Sequence, residues 1–415
     1  MKINFKKRKN LIILLSITAL AICLCCVFAA CSTAQAQSAG PDDALSVKAT
    51  ALDPENAAQN EEAAAQNYSR WLSAHYSAKI YTREMWLADL MGGLDLTIAD
   101  PDDSQTVFLT AYHNGIIDSV DEQPYAALTR RYAAQTLYNA LDYPQRKAAN
   151  VADIDDDDKA LSTLIYYGYF IPDENGMIYP DAPITVDEYR QLLEEVRRYS
   201  SLNGKTVLAF GDSIMVGKGN RDAGIADLIA EKYGMTALDY SVSGATFGVY
   251  QNRSHIPDQI KSAAEKVSRP DVILINGGTN DMELVKCGTA AAGYDDKELD
   301  EKTFAGGMEY AALLLQTYWP DTPVVYIRAH DMDTVDDSKE QQYGELAVTL
   351  AEKWRFYCVD IYNDTDFCTE TPEIRDAYTV FKDKLGHCDG IHPTAIGYAK
   401  YYLPLIAAQI SAIFG

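Results

Sequence analysis

Val207-Leu208-Ala209-Phe210-Gly211-Asp212-Ser213-Ile214 begins as an unbroken apolar run and ends in a glycine turn that delivers a serine. Runs of this kind suit strands covered on both faces, since a half-buried strand would alternate polar and apolar residues. Three more follow, at Val272-Ile273-Leu274-Ile275, Val324-Val325-Tyr326-Ile327 and Phe356-Tyr357-Cys358-Val359. A weaker one lies at Met235-Thr236-Ala237-Leu238-Asp239-Tyr240. Helices are predicted between and after them, at Ile225–Tyr233, 308–318, 342–354 and 398–413. Alternating strand and helix predicts a parallel sheet with a helical layer on each face. Such sheets take their ligands beyond the carboxyl ends of the strands.

Polar or glycine-rich features sit where those strands end. Ser213 opens a helix after Gly211-Asp212, where free N–H groups and the helix dipole favour a developing anion. Gly244, in Ser241-Val242-Ser243-Gly244-Ala245, can present a backbone N–H with no side chain in the way. Asn276-Gly277-Gly278-Thr279-Asn280-Asp281 offers the Asn280 amide as a neutral donor. In Asp389-Gly390-Ile391-His392-Pro393 one loop is expected to deliver a carboxylate and an imidazole together, the first fixing the tautomer of the second.

These four blocks, in this order, resemble the SGNH (GDSL) hydrolase family over about residues 205–415, within a domain read as 201–415. The resemblance implies a flavodoxin-like three-layer α/β fold with a parallel sheet, and a serine esterase needing neither metal nor cofactor. Ser213 would be the nucleophile, His392 the base and Asp389 the group that orients it. The Ser213 N–H, the Gly244 N–H and the Asn280 side chain would form the oxyanion hole. Asp212 is read as a brace of its loop and Asp281 as a structural hydrogen-bonding group beside Asn280. His75, His113, His255, His330 and His387 lack partner patterns and read as surface or satisfied histidines, with His387 a candidate for lining the pocket. No phosphate loop and no metal-ligand spacing is present.

Upstream, residues 66–200 read as a small, mainly helical repeat domain with a period of about 50 residues. Thr82, Thr129 and Thr185 each precede an apolar helical pattern and can cap it, and Glu188 completes a capping box with Thr185. Val151-Ala152-Asp153-Ile154, Tyr167-Gly168-Tyr169-Phe170-Ile171 and the run from Asn175 to Thr185 resemble an S-layer homology repeat. That resemblance implies a three-pronged module binding a bacterial cell-wall polymer. Its Thr-Arg pair occurs at Thr82-Arg83 and Thr129-Arg130, whereas the third copy has Val186 in place of Arg. The other reading of this region is a helical spacer without a ligand.

Residues 1–31 read as a targeting segment: Lys2, Lys6, Lys7, Arg8 and Lys9, then an apolar run into Val27-Phe28-Ala29-Ala30-Cys31. The end resembles a lipobox, with Phe28 where Leu is usual, and implies a lipid anchor in the membrane through Cys31. Ala34-Gln35-Ala36 offers an ordinary secretory cleavage site, and the run is also long enough to span a bilayer. All three readings place the bulk of the chain outside the cytoplasm. Residues 32–65 have too few large apolar groups to offset their ordering entropy and read as a flexible linker. The net charge of −24 argues against nucleic acid as a partner. Cys287, Cys358, Cys368 and Cys388 could form one or two disulfides in an exported protein, with Cys358 read as a small buried hydrophobe.

Taken together, these readings predict hydrolysis of a carboxylic ester through an acyl-serine, with an acylated carbohydrate as the expected substrate. The alternatives are a lipid or lysophospholipid ester, and a cell-wall attachment protein whose hydrolase-like domain is a non-catalytic scaffold.

Overall fold

The computed structural model describes residues 80–120, 123–148, 151–221, 223–295, 297 and 299–414. The targeting segment with Cys31, the linker and His75 lie outside the described residues. Five parallel strands stand in the order β2-β1-β3-β4-β5: β1 (Thr206–Phe210), β2 (Thr236–Asp239), β3 (Val272–Asn276), β4 (Val324–Arg328) and β5 (Tyr357–Asp360). The three central strands are almost wholly buried, and the two edge strands are part exposed. That difference explains why 235–240 reads weakly in the sequence: an edge strand need not be apolar throughout.

Successive side chains of a strand point to opposite faces, and the core divides accordingly. Val207, Ala209, Val272, Leu274, Val325 and Ile327 pack beneath the helices Ile225–Tyr233 and Leu403–Phe414. Leu208, Phe210, Ile273, Ile275, Val324 and Tyr326 pack beneath Ile256–Ala264, Phe304–Tyr318 and Asp337–Lys353. The result is the three-layer α/β fold expected for this half of the chain.

Local details differ from the sequence reading. The helix expected at 308–318 starts earlier, at Phe304, where the Thr303 side chain caps it. The one expected at 342–354 starts at Asp337, capped by Asp336. The C-terminal helix opens with a π-helical stretch, Tyr398–Tyr402. A larger correction concerns Asp389 and His392, which were expected on a loop. They belong to a strand, β7 (His387–Pro393), paired antiparallel with β6 (Thr379–Lys382) in a separate two-stranded sheet. Gly390 and Pro393 within seven residues mask that strand in the sequence. Cys287, Cys358, Cys368 and Cys388 are all free thiols, and Cys358, on the edge strand, is only partly buried.

The N-terminal region is helical, with helices at Arg83–Gly93, Ser104–His113, Arg130–Leu141, Lys159–Tyr166 and Val186–Leu202. Thr82, Thr129 and Thr185 each accept a hydrogen bond from a first-turn N–H, and Thr185 with Glu188 forms the full capping box. The three helix starts are linked in series by short bridges, Thr82 to Ala127 and Thr129 to Pro183. The arginine that follows each of the first two threonines turns toward the next Thr-capped helix. Arg83 stacks on Tyr132, and Arg130 forms a bidentate pair with Glu188 at 2.6 and 3.0 Å. This region packs on the sheet domain through a buried cluster: Lys232 Nζ lies 2.6 Å from Glu195, which also accepts from the Tyr233 hydroxyl. Tyr143 donates to the Lys232 carbonyl across the same junction.

Candidate active site

The strand register sets the site. Phe210 pairs with Ile275 and Ala209 with Asp239, so β1, β2 and β3 end level with one another. Ser213, Gly244 and Asn280 lie three to five residues beyond those ends and emerge at one edge of the sheet. Hydrogen bonds bind the loops together. Val242 N–H donates to the Gly211 carbonyl, and the Gln259 side chain clasps Gly211 through both its N–H and its carbonyl. The Asn280 amide donates to Ala245 O at 3.0 Å and lies 3.4 Å from Asp212 Oδ2.

Gly278 precedes the short helix Thr279–Leu284 with φ 113°, which favours glycine and aims Asn280 back toward Ser213's loop. Gly244 has φ 82°, and a Cβ there would lie 2.6 Å from Arg253 Nη1. Any larger residue would therefore have to displace that guanidinium.

The hairpin β6–β7 brings the remaining groups. His392 Nε2 lies 2.9 Å from Ser213 Oγ, and His392 Nδ1 lies 2.7 Å from Asp389 Oδ2. Asp389 Oδ1 accepts from the N–H groups of Ile391 and His392. Ser213 is 7% exposed and Asp389 4%, so both are shielded while the serine keeps a little exposure. A serine hydroxyl, a ring nitrogen to take its proton, and a carboxylate on the other ring nitrogen form a serine-nucleophile geometry.

His330 is a satisfied histidine, as its sequence context suggests, whereas Lys382 is a neighbour that the sequence does not single out. His330, just past β4, is fully buried and tied to the hairpin through Nε2 and the Gly390 carbonyl at 3.2 Å. Burial pushes its pKa down to about 4, so the ring is neutral. The Tyr402 hydroxyl therefore donates to Nδ1 at 2.7 Å, and Nε2–H donates to Gly390. Lys382 Nζ lies 3.3 Å from Asp389 Oδ2. Neither residue is flagged by spacing, because each reaches the site from a different element. His387 is exposed and bonded to the Cys388 carbonyl.

The acids near the site divide by environment. Burial pushes Asp212 up to about 6, against the Ile214 N–H and the His392 charge. Asp212 braces its loop by accepting from Ile214 N–H. Burial likewise pushes Asp281 up to about 7, although it accepts from the N–H groups of Phe247 and Gly248. At Asp389 burial also raises the pKa, but the bonds from the His392 ring, the His392 N–H and the Ile391 N–H outweigh it and hold the carboxyl at about 2.

That last depression has a measurable consequence. A folded-state pKa of about 2 against an ordinary 3.8 gives stability that is present above about pH 4 and lost as pH falls through 2. Its size is about 2 kcal/mol. The stability difference between wild type and Asp389→Asn is therefore expected to shrink by about that amount between about pH 5 and about pH 2. Urea unfolding at stepped pH measures it, and a gap that stays constant contradicts the account.

The fold and this constellation define a hydrolase of the serine-nucleophile class. Residues 209–400 match the GDSL-like Lipase/Acylhydrolase family. Residues 209–400 are thus a GDSL-like lipase/acylhydrolase domain, and the protein is an ester-hydrolysing enzyme. Similar solved structures include a carbohydrate acetylesterase from Sinorhizobium meliloti, 16% identical over 50% of this chain and 99% of that one, with a TM-score of 0.34. The M. smegmatis aryl esterase is also 16% identical, over 50% and 99%, with a TM-score of 0.35. An acetyl xylan esterase from Geobacillus stearothermophilus is 17% identical over 51% and 96%, with a TM-score of 0.35. No curated protein matches the chain.

Proposed function

We propose that the enzyme removes acyl groups from a glycan through a covalent acyl-serine intermediate on Ser213. The observation that carries the mechanism is the unbroken chain from Ser213 Oγ through the His392 ring to Asp389, at 2.9 and 2.7 Å. His392 takes the hydroxyl proton as Ser213 attacks the ester carbonyl, and returns it to the departing sugar alcohol. Water then attacks the acyl-enzyme by the same route and releases the acid. The N–H groups of Ser213 and Gly244 and the Asn280 amide hold the oxyanion in both steps.

The polar character of the segments beside the blocks supports a sugar rather than a lipid. Lys218-Gly219-Asn220-Arg221 follows the nucleophile, and Gln251-Asn252-Arg253 follows the Gly244 turn, all at or near the surface. Long acyl chains call for apolar walls, whereas short acyl groups on hydroxylated rings suit donors and charges. The same proposal puts the enzyme outside the cytoplasm, anchored through a lipidated Cys31, with residues 66–200 holding a cell-wall polymer. Its support is the basic-apolar-cysteine order of residues 1–31 and the three Thr-capped helix starts.

Acetylated xylan, acetylated chitooligosaccharide and p-nitrophenyl esters of increasing chain length, offered to the purified chain, test the substrate class. Acetate release from the glycans and falling rates beyond short chains are expected. Rates that rise with chain length, with no acetate released, would assign a lipid ester instead.

A further inference from the structure

Asp389 has more partners than an orienting carboxylate needs. Its Oδ1 is occupied by the backbone N–H groups of Ile391 and His392. Its Oδ2 holds the His392 ring at 2.7 Å and, on the other side, the ammonium of Lys382 at 3.3 Å. Lys382 ends β6 and stands opposite His387 on β7, so the hairpin that delivers the triad also carries this cation. Among the described residues it is the one lysine or arginine in ion-pair range of Asp389. Its side chain is one-third exposed while that of Asp389 is almost fully buried, as expected for a long stem reaching in from the rim.

The geometry points to Lys382 as a positioning residue that shares the Asp389 carboxylate with His392 and so sets how readily the imidazole gives up its proton. This rests on the serine-esterase reading of the site.

The reasoning is electrostatic. An imidazolium at His392 is favoured by Asp389 and disfavoured by any cation beside Asp389. The other groups facing the ring are Asp212 and Ser213 from the turn after β1. His330 faces it from the segment after β4 and is neutral. The Tyr398 phenol, from the C-terminal helix, faces Asp389, and burial pushes its pKa up. Asp333 abuts Gly390 but is paired with Arg375 at 3.3 Å. The His387 ring is turned onto the Cys388 carbonyl. Lys382 is therefore, among the described residues, the cation that offsets Asp389. Without it the carboxylate is unshared, and Asp389 holds more tightly the positive charge that the ring gains on taking the Ser213 proton.

The test is the acid limb of kcat/KM for p-nitrophenyl acetate between about pH 5 and pH 8, where an imidazole base is titrated. Lys382→Met is expected to move the limb upward by about 0.5 to 1 pH unit, the size of a part-screened charge a few ångströms beyond the carboxylate. Lys382→Arg keeps the charge and is expected to hold the wild-type limb. Lys384→Met removes the same charge from the exposed hairpin turn and controls for a general field effect. If Lys382→Met folds poorly, Lys382→Gln is measured in its place. A limb that does not move, or a lower plateau with an unmoved limb, overturns the inference. Ser213→Ala in the same assay separates the two claims: residual wild-type turnover there defeats the esterase reading itself, independently of Lys382.

Discussion

Ser213→Ala is expected to lower kcat for ester hydrolysis by about 10⁴-fold or more, and His392→Ala by a comparable factor. Without the hydroxyl no acyl-enzyme can form. Without the imbedded ring, the hydroxyl keeps its proton and is a poor nucleophile at neutral pH. The two side chains are 2.9 Å apart and act on one proton, so their effects cannot add. The double variant is expected to be no slower than either single one, because water attack assisted by the oxyanion donors sets a common floor. Steady-state rates for the three variants check this, together with mass spectrometry after a fluorophosphonate probe, which should label Ser213 in wild type only. Independent, multiplying losses would show that the two residues do not work on the same step.

Asn280→Ala is the second large effect, an expected fall of about 10² to 10³ in kcat with KM changed much less. Asn280 sits in the first turn of the short helix after β3, and its amide already has one strong partner, the Ala245 carbonyl at 3.0 Å. Its other neighbour, Asp212 Oδ2 at 3.4 Å, is a long and weak contact. An amide N–H held that loosely can turn to the negative oxygen that develops on the substrate carbonyl. That interaction is stronger in the transition state than in the bound ester, which is why the loss should fall on kcat. An Asn280→Ala enzyme with unchanged kcat and a raised KM would place Asn280 in ground-state binding instead.

Much of the sheet was legible because its central strands are buried on both faces. Val207–Phe210, Val272–Ile275 and Val324–Ile327 could hardly be anything but covered strands once helices were found between them. The Thr-led helix starts were legible for a similar reason, since capping is local chemistry within one turn. The β6–β7 hairpin was not. Its strand interrupts apolar residues with Gly390, Asp389 and His392, and its register is irregular between Thr379 and Phe381. Strand pairing of that kind depends on the partner, not on the pattern of either strand.

The sequence by itself determined the kinds of group available and the order in which the strands present them: a serine after β1, a glycine after β2, an asparagine after β3, and Asp389 with His392 near the C-terminus. Only the tertiary structure decided which groups share a hydrogen bond or an ion pair. It placed β1 between β2 and β3, so that the first three blocks share one edge. It set Lys382 on Asp389, His330 behind Gly390, and Lys232 against Glu195 across the junction with the helical region. Periodicity and capping act within a few residues and leave a mark in the sequence. Contacts between elements far apart in the chain are selected by packing and burial, which no short stretch of sequence records.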